Sequence, residues 1–558
     1  MSRIAAEEYL DALAAQGIEH LFVNPGTDFA PIVEAYSRAA RTNRPVPKPM
    51  VIPHENCAVG MAHGYTMVTR KAQALMLHTN VGTANAINML IDASRDRIPM
   101  LLTSGRTPFT ESGAEGSRSA YIHWAQEMYD QAGMLREMVK WDYEMKRGDQ
   151  ASSVVDRALE IANTSPQGPV YLSLPREVLG ETVGPLDSNR AHRARPRAPE
   201  AAPRDIEQLA GWIATARNPL VITGMLGRDP KESEVLARLA EAYALAVVPF
   251  NTRYFALSSN HKMFQGSAPG SLLREADLIV VFESDVPWIP SRESPAPGVK
   301  IVQIGEDPLF GRLPMRGFPS DLTMTATCLS VLEALETALD GRATPHVADR
   351  AARLTARSDG LRKTWREEVE RAGNANTITL PWLNHCLRDV IDSETIVISE
   401  YSFRQEYCPL DTPGGFFGVS SAGGLGWGFP ASLGAKLASP GKMVLSVLGD
   451  GAYMFANPVA CHYMAQMQNL PVLTVIYNNA LYGAVRRATL DMYASGAAAE
   501  ADGRFLADLP APSFEKIVAA HDGHGERVDR PADLPAALRR AAAAVRGGQQ
   551  ALVNVICP

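Results

Sequence analysis

Short apolar runs, bounded by glycine, proline or polar pairs, alternate along this chain with stretches whose apolar positions recur at helical spacing. The runs include HLFVNPG (20–26), ALMLHT (74–79), MLLTSG (100–105) and PVYLSLP (169–175). They continue with PLVITG (219–224), DLIVVFES (277–284), KIVQIG (300–305), MVLSVLGDG (443–451) and PVLTVIYNN (471–479). Runs apolar on both faces are what strands of a parallel sheet covered by helices look like. Their alternation with helical patterns predicts an α/β fold. The opening MSRIAAEEYLDALAAQGIEH carries acidic residues and no long apolar run, so it reads as an amphipathic helix and not a signal peptide. No stretch approaches the roughly 18 uninterrupted apolar residues of a membrane span, and no membrane partner is expected.

Two breaks in this pattern divide the chain. Residues 184–203 are rich in Pro, Arg and Ala without periodicity and read as a linker. A weaker break lies at 340–345, ahead of a charged helical stretch. The expectation is three doubly wound parallel-sheet domains at 1–183, 204–342 and 350–558. The first and third are candidates for distant duplicates, which the residues alone do not show. Composition agrees: 558 residues, 46% hydrophobic and 21% charged, suit about three domains with ample core. The net charge of −7 gives no reason to expect nucleic acid. The basic stretches 190–197 and 350–366 are broken by Ala, Pro and acidic residues, and read as linker and solvated helix. Six cysteines lack CxxC spacing, which argues against disulfides and zinc and for a reducing cytoplasm.

The sharpest chemical signal is Gly449-Asp450-Gly451, followed after 26 residues by Asn478-Asn479. Each piece ends an apolar strand, so both emerge at the carboxyl edge of a parallel sheet, where ligands bind. A carboxylate, an amide oxygen and a nearby backbone carbonyl make an all-oxygen site suited to magnesium. Gly449 and Gly451 let backbone N–H groups approach a phosphate, with a helix N-terminus behind them. Either piece alone would read as a turn or a strand end. A second signal is Glu55, in VIPHENCAVGMAHGYTMVTR. It follows an apolar stretch and starts a helix rich in Ala and Gly, so burial is predicted despite its charge. His78 ends an apolar strand and precedes a glycine-containing loop.

Taken together, GDG and NN at this spacing resemble the diphosphate-binding motif of thiamine-diphosphate enzymes, and the Glu55 segment resembles their catalytic-glutamate motif. The first unit is similar to the benzoylformate decarboxylases in NPGTDF (24–29), HENCAVG, LHTNVGTANAI (77–87), MVKWDYE (138–144) and SPQGPVYLSLP (165–175). The third is similar in SAGGLGWGFPASLGAKLA, GDG and NNALYGAVR (478–486); the middle unit matches only as a general α/β pattern. The resemblance implies pyrimidine-binding, central and diphosphate-binding domains, with thiamine diphosphate and Mg2+ as cofactors. It implies that Asp450, Asn479 and the Leu481 carbonyl bind the metal, and that Gly449, Gly451 and Ser402 serve the cofactor. Leu425 would support the bent cofactor from beneath, with the Gly423 carbonyl as partner for its amino group. Glu55, if buried, can share a proton with the pyrimidine N1′ and so promote removal of the C2 proton. His78 and Thr27 would face the substrate. The implied assembly is a homodimer or homotetramer with active sites at subunit interfaces.

Departures from the family bear on substrate. A second active-site histidine that the family takes from the middle unit has no counterpart in ESDVPWIPSRE (283–293), where Trp288 lies near that place. A pocket phenylalanine after the NN segment is matched by Ala488. Conversely, IHWAQEMYDQ (122–131) resembles the QE segment of acetolactate synthases, which would bring His123 or Gln126 into the pocket. PLVITGMLGRD ends in a glycine-rich turn without GxGxxG, so no FAD or other nucleotide is expected in the middle unit. The leading reading is decarboxylation of a small-molecule 2-keto acid, with carboligation to an aldehyde as a further step. The alternative is acyl-carbanion transfer to a second keto acid, of the acetolactate-synthase kind. Retention of Glu55, Leu425, Asp450 and Asn479 together argues against a binding-only paralogue, which would not need the glutamate.

Overall fold

The computed structural model describes residues 3–185, 196–510 and 512–557. Positions 186–195 of the expected linker, and with them most of the basic stretch 190–197, lie outside the described residues. The first sheet comprises β1 (His20–Asn24), β2 (Lys48–Val51), β3 (Gln73–Leu77), β4 (Met100–Arg106), β5 (Asp142–Glu144) and β6 (Val170–Pro175). The second comprises β7 (Pro219–Thr223), β8 (Ala246–Pro249), β9 (Leu278–Phe282), β10 (Lys300–Gly305) and β11 (Leu322–Thr325). The third comprises β12 (Thr395–Glu400), β13 (Phe416–Gly418), β14 (Met443–Gly449), β15 (Leu473–Asn478), β16 (His524–Val528) and β17 (Ala551–Ile556).

Within the three sheets all strand pairs are parallel, so the α/β class with three doubly wound parallel sheets is confirmed. The strand orders are β2-β1-β3-β4-β6-β5, β11-β10-β9-β7-β8 and β13-β12-β14-β15-β17-β16. Counted from their own first strands, the first and third sheets have the same order. That shared topology is what the residues alone do not reveal.

By contact density the chain gathers into two compact units. One is Met1–Pro196 with Ser420–Gly441 and Ala452–Pro471; the other is Arg197–Val419 with Lys442–Gly451 and Val472–Pro558. In the first, the helix Glu55–Thr69 packs on the helix Gly428–Ala438 through glycines. A Cβ on Gly64 would lie 2.0 Å from the Ala431 carbonyl oxygen, and one on Gly434 1.9 Å from that of Met61. Backbone therefore meets backbone, and the Glu55 helix is buried on nearly every face, with only Asn56, Val68 and Thr69 more open.

In the second unit two expectations are corrected. Trp288, expected near the substrate, is 2% exposed in the apolar core of the second sheet with Leu220, Ile222 and Ile279, its ring 5.1 Å from that of Phe318. A large apolar ring gains more from complete burial than from lining an open pocket. The basic stretch 350–366 is also not simply a solvated helix. It lies in the helix Val347–Gly373, and buried Arg350 donates to the carbonyls of Ile213, Ala216 and Tyr243. Val347, Ala351, Leu354 and Trp365 of that helix pack on the second sheet's core. The apolar positions are too widely spaced among arginines for the sequence to show this face.

All six cysteines are free and buried. Among the described residues no helix is long and apolar enough to cross a membrane. The helix contact makes a direct prediction. Gly434→Ala should lower the unfolding free energy by about 1–3 kcal/mol, the usual cost of overpacking. Gly441→Ala, where a Cβ meets nothing within 4 Å, serves as control. Equal urea midpoints for the two variants would refute the backbone contact.

Candidate active site

Doubly wound sheets bind ligands at the carboxyl edge where the strand order reverses. In the first sheet that crevice lies between β1 and β3. Just past β3 stands His78, whose Nδ1 is 2.5 Å from Oδ1 of buried Asp28, which follows β1. The hydrogen bond to Asp28 is the main cause that raises the His78 pKa, partial burial opposes it, and the charge of Asp28 adds to it. The pair needs two glycines. A Cβ on Gly26 would lie 2.0 Å from His78 Nδ1, and one on Gly105 1.7 Å from Asp28 Oδ2. Thr79, the next residue, is held at φ 38°, a strained setting for a β-branched side chain. Thr27 is exposed in the 3-10 turn Thr27–Phe29.

Sequence reasoning singled out Thr27 and missed Asp28. Its one signal was an acidic residue directly beyond an apolar strand and an NPG turn. Of the two residues in the loop after β4, Gln126 reaches the site: its Nε2 is 3.4 Å from His78 Nε2. His123 is buried, and its Nδ1 accepts the amides of Ser119 and Ala120 at 3.0 and 3.4 Å, so it braces the loop. Burial, with Arg176 and Arg118 nearby, lowers its pKa.

Glu55 is buried at the head of its helix, where His54 Nδ1 caps by accepting the Asn56 amide at 3.2 Å. The Glu55 Oε2 accepts a hydrogen bond from Asn85 Nδ2 at 3.1 Å, and a Cβ on Gly82 would stand 3.2 Å from Oε1. In the same unit, Gly423 adopts φ 71° and half-buried Leu425 follows it in the glycine-rich loop.

The other unit carries the acidic turn. Gly449 pairs with Tyr477 across β14 and β15, so Asp450 and Asn478 leave the sheet side by side. Asp450 is buried; its Oδ1 accepts the Gly451 amide at 2.8 Å, while Oδ2 is buried without a hydrogen-bond partner. Burial pushes its pKa up, and the backbone amides of Gly451, Ala480 and Leu481 pull it back. An orphaned carboxylate oxygen is costly unless a cation meets it. Asn478 is committed to the fold, donating to Asn554 Oδ1 at 2.9 Å. Asn479 Oδ1 accepts the Leu481 amide at 3.2 Å, across Ala480 at φ 54°. Among the described residues no cluster of three His, Cys, Asp or Glu is placed to hold a metal. The donors here are instead one carboxylate, one amide and a carbonyl, a set that fits a hard cation. Gly451 leaves room for Tyr482, whose ring a Cβ would meet at 3.2 Å. Ser402 is buried beyond β12, its carbonyl accepting from Asn384 Nδ2 at 3.1 Å.

Residues 4–134 match the N-terminal TPP binding domain of thiamine pyrophosphate enzymes, and residues 399–555 match their C-terminal TPP binding domain. The chain belongs to the thiamine pyrophosphate enzymes. It is similar to benzoylformate decarboxylase of Pseudomonas aeruginosa, 25% identical over 96% of each chain. It is also similar to the acetolactate synthase large subunit of Haemophilus influenzae, 24% identical over 96% of this chain and 91% of that one. The fold is that of a solved thiamine diphosphate-dependent 4-hydroxybenzoylformate decarboxylase from Rhodococcus jostii, with TM-score 0.80, 21% identity, and 100% and 99% of the two chains covered. This thiamine pyrophosphate enzyme is therefore a lyase or a transferase of the decarboxylase and acetolactate-synthase kind, with thiamine diphosphate as its cofactor.

The His78–Asp28 pair predicts a pH effect. Because Asp28 raises the His78 pKa, the imidazolium persists to higher pH than in an unpaired histidine. Asp28→Asn removes that stabilisation, so the alkaline limb of the kcat/KM profile should move to lower pH. A limb that stays in place would show that protonated His78 does not act in turnover.

Proposed function

We propose that this enzyme decarboxylates a 2-keto acid non-oxidatively and can join the product to an aldehyde. The observation that carries this reading is the buried Glu55 carboxyl at the head of a helix buried on nearly every face, a costly place for an acid with no chemical task. Bound thiamine diphosphate supplies a nucleophilic carbon and an electron-accepting ring. The chain's residues bind, orient and move protons around it. Asp450 and Asn479 side-chain oxygens with the Leu481 carbonyl hold Mg2+, and the amides around Gly449 and Gly451, with Ser402, hold the diphosphate. Leu425 and the Gly423 carbonyl orient the pyrimidine, and Glu55 holds a proton at its N1′. His78, as imidazolium, donates to the substrate carboxylate or passes a proton, and the Thr27 hydroxyl also faces the substrate. The relatives named for benzoylformate and 4-hydroxybenzoylformate support a keto acid as substrate. Gln126 against His78 favours a second reading, acyl transfer to a second keto acid as in the acetolactate synthases.

The central domain takes no flavin in this reading. At the start of the helix Pro230–Tyr243, where a phosphate would sit, Glu232 itself accepts the Gly227 amide at 2.8 Å. Six free, buried thiols fit a cytoplasmic enzyme. We keep the bounds 1–183, 204–342 and 350–558 for the three domains, with the first turns of the third docked on the second sheet.

The assembly we propose is a homodimer or a pair of dimers. Val459, Tyr463 and Met467 are exposed one helical turn apart on the helix Pro458–Met467, and such a stripe invites a second copy. Tyr463→Asp should release monomers in sedimentation; an unchanged assembly would exclude this face.

The central test follows hydrogen–deuterium exchange at C2 of bound cofactor. Glu55→Gln should slow it by about 10² to 10⁴ while retaining cofactor, since an amide cannot carry the proton. Asp450→Ala should instead lose metal-dependent cofactor retention. Exchange at the wild-type rate in Glu55→Gln would end the reading. A screen of aliphatic and aromatic 2-keto acids, detecting carbon dioxide and coupled products, separates the two activities.

A further inference from the structure

The chain just beyond His78 forms two short helices, Thr79–Asn85 and Ile87–Arg95, joined at Ala86 with near-helical angles. Three polar residues along them, Asn85, Asn88 and Asp92, are spaced three and four apart and so fall on one helical face. Their partners are not random. Asn85 Nδ2 donates to Glu55 Oε2 at 3.1 Å. Asn88 Nδ2 donates to the Leu425 carbonyl at 3.0 Å. Asp92, fully buried, accepts the Gly424 amide on Oδ1 at 3.0 Å, and a Cβ on Gly424 would strike its carboxylate at 2.7 Å. One face about 10 Å long, at 1.5 Å per residue, therefore touches both the activating carboxyl and the loop that carries Gly423 and Leu425.

We propose that Asn85, Asn88 and Asp92 are positioning residues that fix Glu55 and the Gly423–Leu425 loop at a set spacing for the cofactor pyrimidine; this rests on the roles proposed above for Glu55 and Leu425. Each contact satisfies a buried polar group, and what singles this face out is that its partners are Glu55 and the loop of Gly423 and Leu425 together. The Asn85 amide holds one carboxylate oxygen in place and leaves Oε1, beside Gly82, for the cofactor. Asn88 and Asp92 grip consecutive residues of a glycine-rich segment that has little conformational preference of its own. The His78 strand end leads directly into this face, so substrate, activating and ring-supporting groups share one rigid base.

The test measures C2 exchange, thiamine diphosphate Kd with Mg2+ and the urea midpoint on the full-length protein. Asn85→Ala should slow exchange about tenfold, the scale of one hydrogen bond to a charged group, with Kd changed less than about threefold. Asn88→Ala and Asp92→Ala should instead weaken Kd, by about threefold and about tenfold. Asp92→Asn, which keeps an acceptor oxygen, should restore Kd to within about threefold of wild type and also serves if Asp92→Ala fails to fold. Exchange and Kd within about twofold of wild type in both Asn85→Ala and Asn88→Ala overturn the proposal. Glu55→Gln measured alongside separates the two failures. If it is slow while Asn85→Ala is not, only the positioning face is lost. If it exchanges like wild type, the role of Glu55 itself is wrong.

Discussion

The backbone contact between the Glu55 helix and the helix Gly428–Ala438 constrains everything around the Glu55 carboxyl. Glycine is a poor helix former, about 1 kcal/mol per residue worse than alanine, so a helix bearing Gly60 and Gly64 depends on tertiary packing. Those glycines allow an approach that any side chain would prevent. The close approach buries the helix on nearly all faces, and Glu55 at its head is buried with it. A carboxyl there needs polar company, and Asn85 provides it. Helix packing and the surroundings of the Glu55 carboxyl are thus one arrangement: loosening the glycines would change both.

The sheets impose a second constraint. Residues with left-handed backbone follow the carboxyl ends of strands in all three: Thr79 after β3, Glu283 after β9, Tyr401 after β12 and Ala480 beyond β15. Turning the chain sharply there presents amides and side chains at the edge. In the first and third sheets the edge carries His78 with Asp28 and Asp450 with Asn479. In the second, the same edge is filled from within. Arg253 meets Asp285 at 2.5 Å, and Glu232, pushed up to about 7 by burial, takes the amide of Gly227. The same geometry leaves polar groups at the edge of two sheets and is closed by internal pairing in the third.

Much of this was legible in the sequence because the signals are local. A strand buried on both faces is an apolar run, and GDG with NN at a fixed spacing is a strand edge with hard oxygen donors. β12 and β17, TIVISE and ALVNVI, are apolar runs of the same kind. Short strands such as β5, DYE, carry no such signal. What remained hidden depends on contacts distant in sequence. Asp28 becomes significant only when β1 and β3 lie side by side. Arg350 looks solvated until three carbonyls from 213 to 243 are seen around its guanidinium. ESDVPWIPSRE suggests a pocket place for Trp288, whereas its size and apolarity send it to the core.

The loop after β4 shows how substrate preference can change without disturbing this frame. Gln131 anchors one end: its Nε2 donates to Ser104 Oγ, the Gly105 carbonyl and the Tyr171 hydroxyl at 2.9, 2.9 and 2.8 Å. Thr83 Oγ1 joins the same buried network through Ser104 at 3.0 Å, tying the loop to the helix that follows His78. His123 braces the segment between. Between these fixed points Tyr121, Trp124 and Tyr129 are exposed, and Gln126 reaches His78. A loop pinned through its backbone and buried polar groups keeps its path when an exposed side chain is exchanged, because such substitutions usually cost within about 0.5 kcal/mol. The proposed cofactor groups are therefore held by buried, mutually dependent contacts, while the proposed substrate edge carries side chains the fold does not need. That division explains why the cofactor class is plain from short motifs and the keto acid is not.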